Sequence, residues 1–228
     1  MTQGAFDSKL KWAKQDLEDF ILFAQSLGPL FCSDPNLDKD VIKVYEFFEQ
    51  SDPEFFLEQW PYIKDLDELG YEEFKLASQQ ICGSNAHIDV KLVDEFRRLF
   101  VGPGHVCASP FGSVYTDHEG VLFGESCLEY RSFLRACGLS LSLKDAIPED
   151  HIGFMLITAA HLAQKDRSLE LRDLLEQHLL PWAYHYLEML YKEAQHPFYQ
   201  ALAQISRLSL RGVQKRHNLE PLKRELFR

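Results

Sequence analysis

The sequence predicts an all-α fold, a single domain of about eight to ten helices. Two observations carry that reading. Apolar residues recur at intervals of three and four along most of the 228 residues, the period of one helix face. Strand-like signals are confined to two short pieces, 113–116 and 121–123, too few to make a sheet. In chain order, Leu10, Ala13, Leu17, Phe20, Ile21, Ala24 and Leu27 form a first stripe, stopped by Gly28-Pro29. Val41, Val44, Tyr45 and Phe48 form a second, closed before Asp52-Pro53. Tyr71 to Ile81 is a third helix, followed by Gly83-Ser84-Asn85, and Val90, Val93, Phe96, Leu99 and Phe100 make a fourth, ended by Gly102-Pro103-Gly104. Glu125 to Cys137 is helical and closed by Gly138, and Pro148 to Gln164 carries Ile152, Met155, Leu156, Ala159 and Ala163 on one stripe. Leu169 to Ala194 is long, with Pro181 expected to kink or break it and Trp182 and Tyr186 spaced for the core. Pro197 suits the first turn of a last helix reaching about Gly212.

The chain reads as one domain over 1–228, with an N-terminal helical half at about 1–100, a connecting loop at 101–124 and a C-terminal helical half at 125–228. The loop holds five of the chain's 12 glycines, together with Pro103 and Pro110. A connection this long inside a helical domain is more often functional than not. Its members Phe111, Tyr115, Asp117, His118 and Glu119 are candidates to project into a site, and the same stretch also reads as a hinge between the halves.

The formal net charge is −11. Residues 1–70 net −9, whereas residues 206–228 net +5. An acidic body is a poor general binder of nucleic acid and favours cationic partners, although acidity of this kind also serves solubility. The basic residues Arg207, Arg211, Lys215 and Arg216 read as a solvated helix face, with a clamp on the acidic front half or a membrane contact as the other readings. The N-terminus lacks a basic region followed by an apolar core, and no apolar run reaches the roughly 18 residues of a membrane span, so neither export nor stable membrane insertion is expected. Cys32, Cys82, Cys107, Cys127 and Cys137 are odd in number and show no C-x-x-C, which argues against a disulfide framework or structural zinc and for the reducing cytoplasm.

The chain carries no phosphate-cradling glycine loop, no H-E-x-x-H and no G-x-S-x-G, so neither an enzyme nor a cofactor is expected. Asp117-His118-Glu119 and Glu149-Asp150-His151 do set histidine beside carboxylates. The alternative they leave open is an all-helical metal-dependent phosphohydrolase using His118, Asp150 and His151. Pro148-Glu149-Asp150 equally suits a helix start, with acids at the positive end of the helix dipole.

Several segments form one ordered set. Glu95-Phe-Arg-Arg-Leu-Phe-Val-Gly-Pro-Gly104 is followed by Ser109-Pro-Phe-Gly-Ser-Val-Tyr-Thr-Asp117 and Glu119-Gly-Val-Leu-Phe-Gly124, then by Pro148-Glu-Asp-His-Ile-Gly153, Leu180-Pro-Trp182 and His196-Pro-Phe-Tyr199. In this order and spacing the chain, from about residue 90 to the C-terminal Leu-Phe-Arg, resembles the TorD/DmsD family of redox-enzyme maturation chaperones, its DmsD branch most closely. The resemblance implies an all-helical cytoplasmic protein that binds the twin-arginine leader of a molybdopterin oxidoreductase catalytic subunit of the dimethyl sulfoxide reductase type. It would hold that subunit back until its cofactor is loaded, and the branch's link to the twin-arginine translocon implies a second partner. It implies a leader groove that includes Phe96, Leu99, Phe100, Tyr115, Gly124, Asp150 and His151. The chain departs from the family's usual tryptophans at Phe96 and Gly104, and from a proline pair at Ser109-Pro110. The chemistry fits the expectation. A twin-arginine leader joins a cationic pair to an apolar stretch, so its receptor needs carboxylates for guanidinium groups and an apolar groove. Asp117, Glu119, Glu149 and Asp150 are candidates for the first, and Phe96, Leu99, Phe100, Phe111 and Tyr115 for the second.

Overall fold

The computed structural model describes residues 11–102, 108–141 and 147–228. Leu10, Pro103, Gly104 and Cys107 lie outside the described residues. Among those described there is no strand, and a single isolated antiparallel bridge joins Phe111 to His151. The helices are α1 (Lys14–Leu27), α2 (Pro29–Cys32), α3 (Lys39–Gln50), α4 (Pro53–Gln59), α5 (Glu68–Ile81), α6 (Val90–Phe96), α7 (Ser113–Thr116), α8 (Glu125–Ala136), α9 (Ile152–Gln164), α10 (Ser168–Asp173), α11 (Leu180–Glu193) and α12 (Pro197–His217). Taking segments that run on into one another as one leaves ten among the described residues, within the predicted eight to ten. The all-α expectation holds.

The centre of the fold is α9, which carries apolar or small residues on nearly every face and buries nine of them, Ile152 through Ala163. It packs on α1, while α12 packs on α5 and α11. One of the predicted stops is not a stop. Gly28 stays right-handed, so α1 runs directly into α2. The second helix closes before Asp52-Pro53 as predicted, at Gln50, and the same pair starts α4. The Asp52 carboxylate accepts the Glu54 and Phe55 amides at 3.0 and 2.9 Å, and proline at the first helical position loses no needed donor.

Pro181 does not break the long helix. A π-turn over Leu174–Leu179 widens the coil just ahead of it, and α11 begins with the proline in its first turn, where the missing N–H costs nothing. The last helix continues past Gly212 to His217. A Cβ at Gly212 would lie 2.7 Å from the Tyr62 Cβ, so glycine stands there for close packing and not as a terminator. The helix ends at Asn218, in the left-handed region at φ 47°.

The basic residues of α12 are bound to the acidic front half. Arg216 reaches Asp19 and Asp65, each at 2.6 Å, and its guanidinium lies over the Tyr62 ring at 4.5 Å. Arg207 pairs with Glu73 at 2.8 Å, and Lys215 donates to the Asp65 carbonyl at 2.8 Å. The clamp, and not the solvated face, is what the fold builds from these charges. Among the described residues no helix is long and apolar enough to cross a membrane.

Candidate functional site

The loop after residue 108 and the start of α9 are stitched together by backbone. The Gly112 amide donates to the Asp150 carbonyl at 3.1 Å, and the Ile152 amide donates to the Pro110 carbonyl at 2.9 Å. This pairing fixes Asp150 and His151 side by side. The Asp150 Oδ2 accepts the Ser113 amide at 2.6 Å and so starts the one-turn helix α7 in a stretch that reads as β-prone. The Asp150 Oδ1 has no hydrogen-bond partner although the residue is buried, and burial raises its pKa. His151 caps α9, its Nδ1 accepting the Gly153 amide at 3.1 Å. That contact needs the neutral ring, and complete burial holds its pKa down at about 3. The ring sits against Phe111 and Phe154, each at 5.0 Å between centroids.

Around this hub the remaining candidates divide. Tyr115 is inside, its hydroxyl donating to the Ser109 carbonyl at 2.7 Å and its ring parallel to Trp182 at 5.8 Å. Asp117 accepts the Ser126 amide at 3.3 Å and the Ser126 hydroxyl at 3.1 Å, tying the loop to the first turn of α8. Gly124 makes room for this carboxylate. A Cβ there would collide with the Asp117 Oδ2. Glu119 is exposed, as is His118, whose ring meets Phe227 at 5.4 Å. Glu149 is held by both ends of the Arg131 guanidinium at 2.8 and 2.7 Å. Burial pushes its pKa up, but the arginine more than reverses that, and the carboxyl titrates below its usual range.

Phe96 and Leu99 are buried, and Phe100 is half-buried. They belong to a neighbouring packing unit, in which Phe100 meets Phe31 at 5.9 Å and Tyr199 at 5.7 Å. It connects to the hub through Phe31, Tyr186 and Tyr115. The structure therefore brings Phe111, Tyr115, Asp117, Gly124, Asp150 and His151 into one contact network and keeps Phe96, Leu99 and Phe100 behind it. The constellation of the metal reading is not assembled. His118 is exposed against Phe227, whereas Asp150 and His151 are buried and engaged as caps. Among the described residues no group of three or more His, Cys, Asp and Glu side chains could hold a metal ion.

Three features escape the sequence reading. Exposed apolar side chains lie at Val121, Leu122, Phe123 and Leu128, with Arg131 over the Phe123 ring at 5.9 Å. Next to the acidic Glu119 and Glu125, they supply outward apolar surface that the buried aromatics do not. Trp182, which the spacing places in the core, is also a wall of the hub. The C-terminal residues after Asn218 fold back onto the same face, with the Phe227 amide donating to the Tyr115 carbonyl at 2.9 Å. The signal for the first was the run Val-Leu-Phe between glycines. No local pattern marks the other two.

Residues 67–188 match the family model described as nitrate reductase delta subunit. The chain is 34% identical over 211 residues to the Tat proofreading chaperone DmsD of Salmonella typhimurium, covering 92% of this chain and 97% of that protein. It is 34% identical over 187 residues to the probable Tat proofreading chaperone DmsD of Haemophilus influenzae, covering 82% and 86%. It is 32% identical over 148 residues to the chaperone protein TorD of Vibrio cholerae, covering 60% and 66%.

Proposed function

The chain belongs to the TorD/DmsD family, and on that premise we propose that it is a Tat proofreading chaperone, binding the twin-arginine leader of a molybdopterin oxidoreductase catalytic subunit in the cytoplasm and assisting cofactor loading before export. The observation that carries the reading is the acidic and apolar face around the Phe111–His151 bridge. Carboxylates at Glu119 and Glu125 stand beside exposed Val121, Leu122 and Phe123, and Phe111, Tyr115, Asp117, Gly124, Asp150 and His151 form the floor of the site next to them. Guanidinium groups prefer planar carboxylate acceptors, and an apolar peptide segment needs apolar surface next to them. Binding and release are all that this task requires of the protein, and no bond-making step is involved. Phe96, Leu99 and Phe100 support the floor from behind through Phe31 and Tyr186.

The test is titration calorimetry with a synthetic twin-arginine leader. Binding with a Kd of about 1 μM or tighter, near −8 kcal/mol, is expected. Changing both leader arginines to alanine should weaken it at least tenfold, and so should Glu119→Gln with Glu125→Gln in the protein, since both glutamates are exposed and neutralising them leaves the fold intact. Equal affinity for the intact and arginine-free leaders would sink the reading.

A further inference from the structure

Residues 219–228 leave α12 at Asn218 as an extended strap whose end reaches Tyr115 and His118, beside the face just described. The strap is anchored along its length. The Glu220 and Leu222 amides donate to Glu176, to its Oε1 and its backbone carbonyl respectively, both at 2.8 Å. Arg224 forms an ion pair with Glu129, Leu226 packs against the core, and the Phe227 amide and ring engage Tyr115 and His118. Under Arg224 lies a cavity of about 10 Å3, room for about one water, whose walls include Gly112, Thr116, Ser126, Tyr130, Asp150 and Trp182. Two of the polar groups on that wall, the Asp150 Oδ1 and the Tyr130 hydroxyl, are buried without a partner.

The chemistry of the strap follows the chemistry of a leader. Lys223-Arg224 is a cationic pair, Glu225 a spacer and Leu226-Phe227 an apolar pair, in the same order as the arginines and apolar stretch of a twin-arginine peptide. We propose that the C-terminal strap is an intramolecular occupant of the leader site, with Arg224 seated between Glu129 and the Asp150 cavity where a leader arginine would sit, so that a leader binds by displacing it. The inference rests on the leader-binding reading and adds Glu129 as a binding residue together with a built-in competitor. A tethered segment competes at an effective concentration in the millimolar range, enough to select against weakly matching peptides.

The experiment compares the full chain with one ending at Leu219, both checked by circular dichroism and cooperative urea unfolding, in titrations with a synthetic twin-arginine leader. Removing an occupant that is seated most of the time should tighten leader binding about tenfold or more. A synthetic peptide of residues 220–228 should compete with the leader for the shortened chain, and Glu129→Gln should weaken leader binding by that chain. If shortening unfolds the protein, Lys223→Ala with Arg224→Ala in the full chain should give the same tightening. Equal or weaker leader binding by the folded shortened or doubly substituted chain, or a tail peptide that does not compete, overturns the strap and leaves leader binding standing. Absence of leader binding by every form overturns both.

Discussion

Asp150 gives one carboxylate oxygen to the Ser113 amide and leaves the other without a partner inside the protein. The two oxygens pull stability in opposite directions. The first satisfies a buried donor, whose loss costs about 1–3 kcal/mol. The second keeps a carboxyl in surroundings that disfavour its charge, as its raised pKa records. Alanine and asparagine at this position therefore separate structure from binding. Asp150→Ala should lower the urea unfolding free energy by about 1–3 kcal/mol because the Ser113 amide is stranded. Asp150→Asn keeps an acceptor and removes the buried charge, so its stability should equal or exceed that of the parent at pH 7. Any loss of leader affinity in the asparagine variant then reports on the carboxylate itself. The sequence made this pair conspicuous, since Glu-Asp-His after a proline sets acid and imidazole at a helix start. It could not say which of them face inward. That depends on the backbone pairing of Phe111 with His151, formed between residues 40 apart in the chain.

At the scale of elements, most of the helices were legible because an apolar stripe is a local property, visible within one segment. The misreadings share a cause. Glycine and proline were read as punctuation, whereas in this fold their meaning is set by what packs against them. Gly28 lets one helix run on into the next, Pro181 follows a π-turn that absorbs it, and Gly212 lies within a helix against Tyr62. The glycine gives a test with a clear sign. Helix propensity alone makes Gly212→Ala stabilising by about 1 kcal/mol. A methyl group 2.7 Å from the Tyr62 Cβ cannot be accommodated without moving one helix face, and overpacking of this kind costs about 1–3 kcal/mol. Since the steric term outweighs the propensity term, Gly212→Ala should lower the urea midpoint without changing the slope. A rise in the midpoint would show that Tyr62 yields easily. The same contact explains why Tyr62 is fixed under the Arg216 guanidinium, so the clamp between the two halves depends on a glycine that looks like a helix end.

Over the whole molecule, the charge asymmetry visible in the sequence becomes an internal fastening. Arg216 joins Asp19 and Asp65, and the acidity left at the surface near Glu119 and Glu125 is free to act on cationic partners. Burial also keeps four histidines, His151, His178, His196 and His217, below their ordinary pKa. Burial holds His151 at about 3, and His178 and His217 at about 4, with nearby arginine charge reinforcing both of the latter. Each of these pKa values lies below that of an unfolded histidine, about 6.5, so the unfolded chain binds protons that the folded one refuses as the pH drops. Stability is therefore fully present above about pH 6.5 and falls as the pH is lowered toward 4. Asp150 and Asp173, whose pKa values burial raises, work the other way and offset part of the loss only where the pH approaches their own titration. His151, His178 and His217 each lose about the same amount down to pH 5, because all three folded values lie below it, and His151 is the one that also caps a helix. At about 1.4 kcal/mol per pH unit, its share between pH 6.5 and 5 is about 2 kcal/mol. Replacing it with asparagine keeps a side-chain acceptor for the Gly153 amide and removes the titration. Urea unfolding at pH 7 and at pH 5 should show the parent losing about 2 kcal/mol more than His151→Asn. Parallel losses in the two proteins would mean that the imidazole takes up its proton without opening the cap. The end of α9 would then not be the acid-sensitive point of the fold.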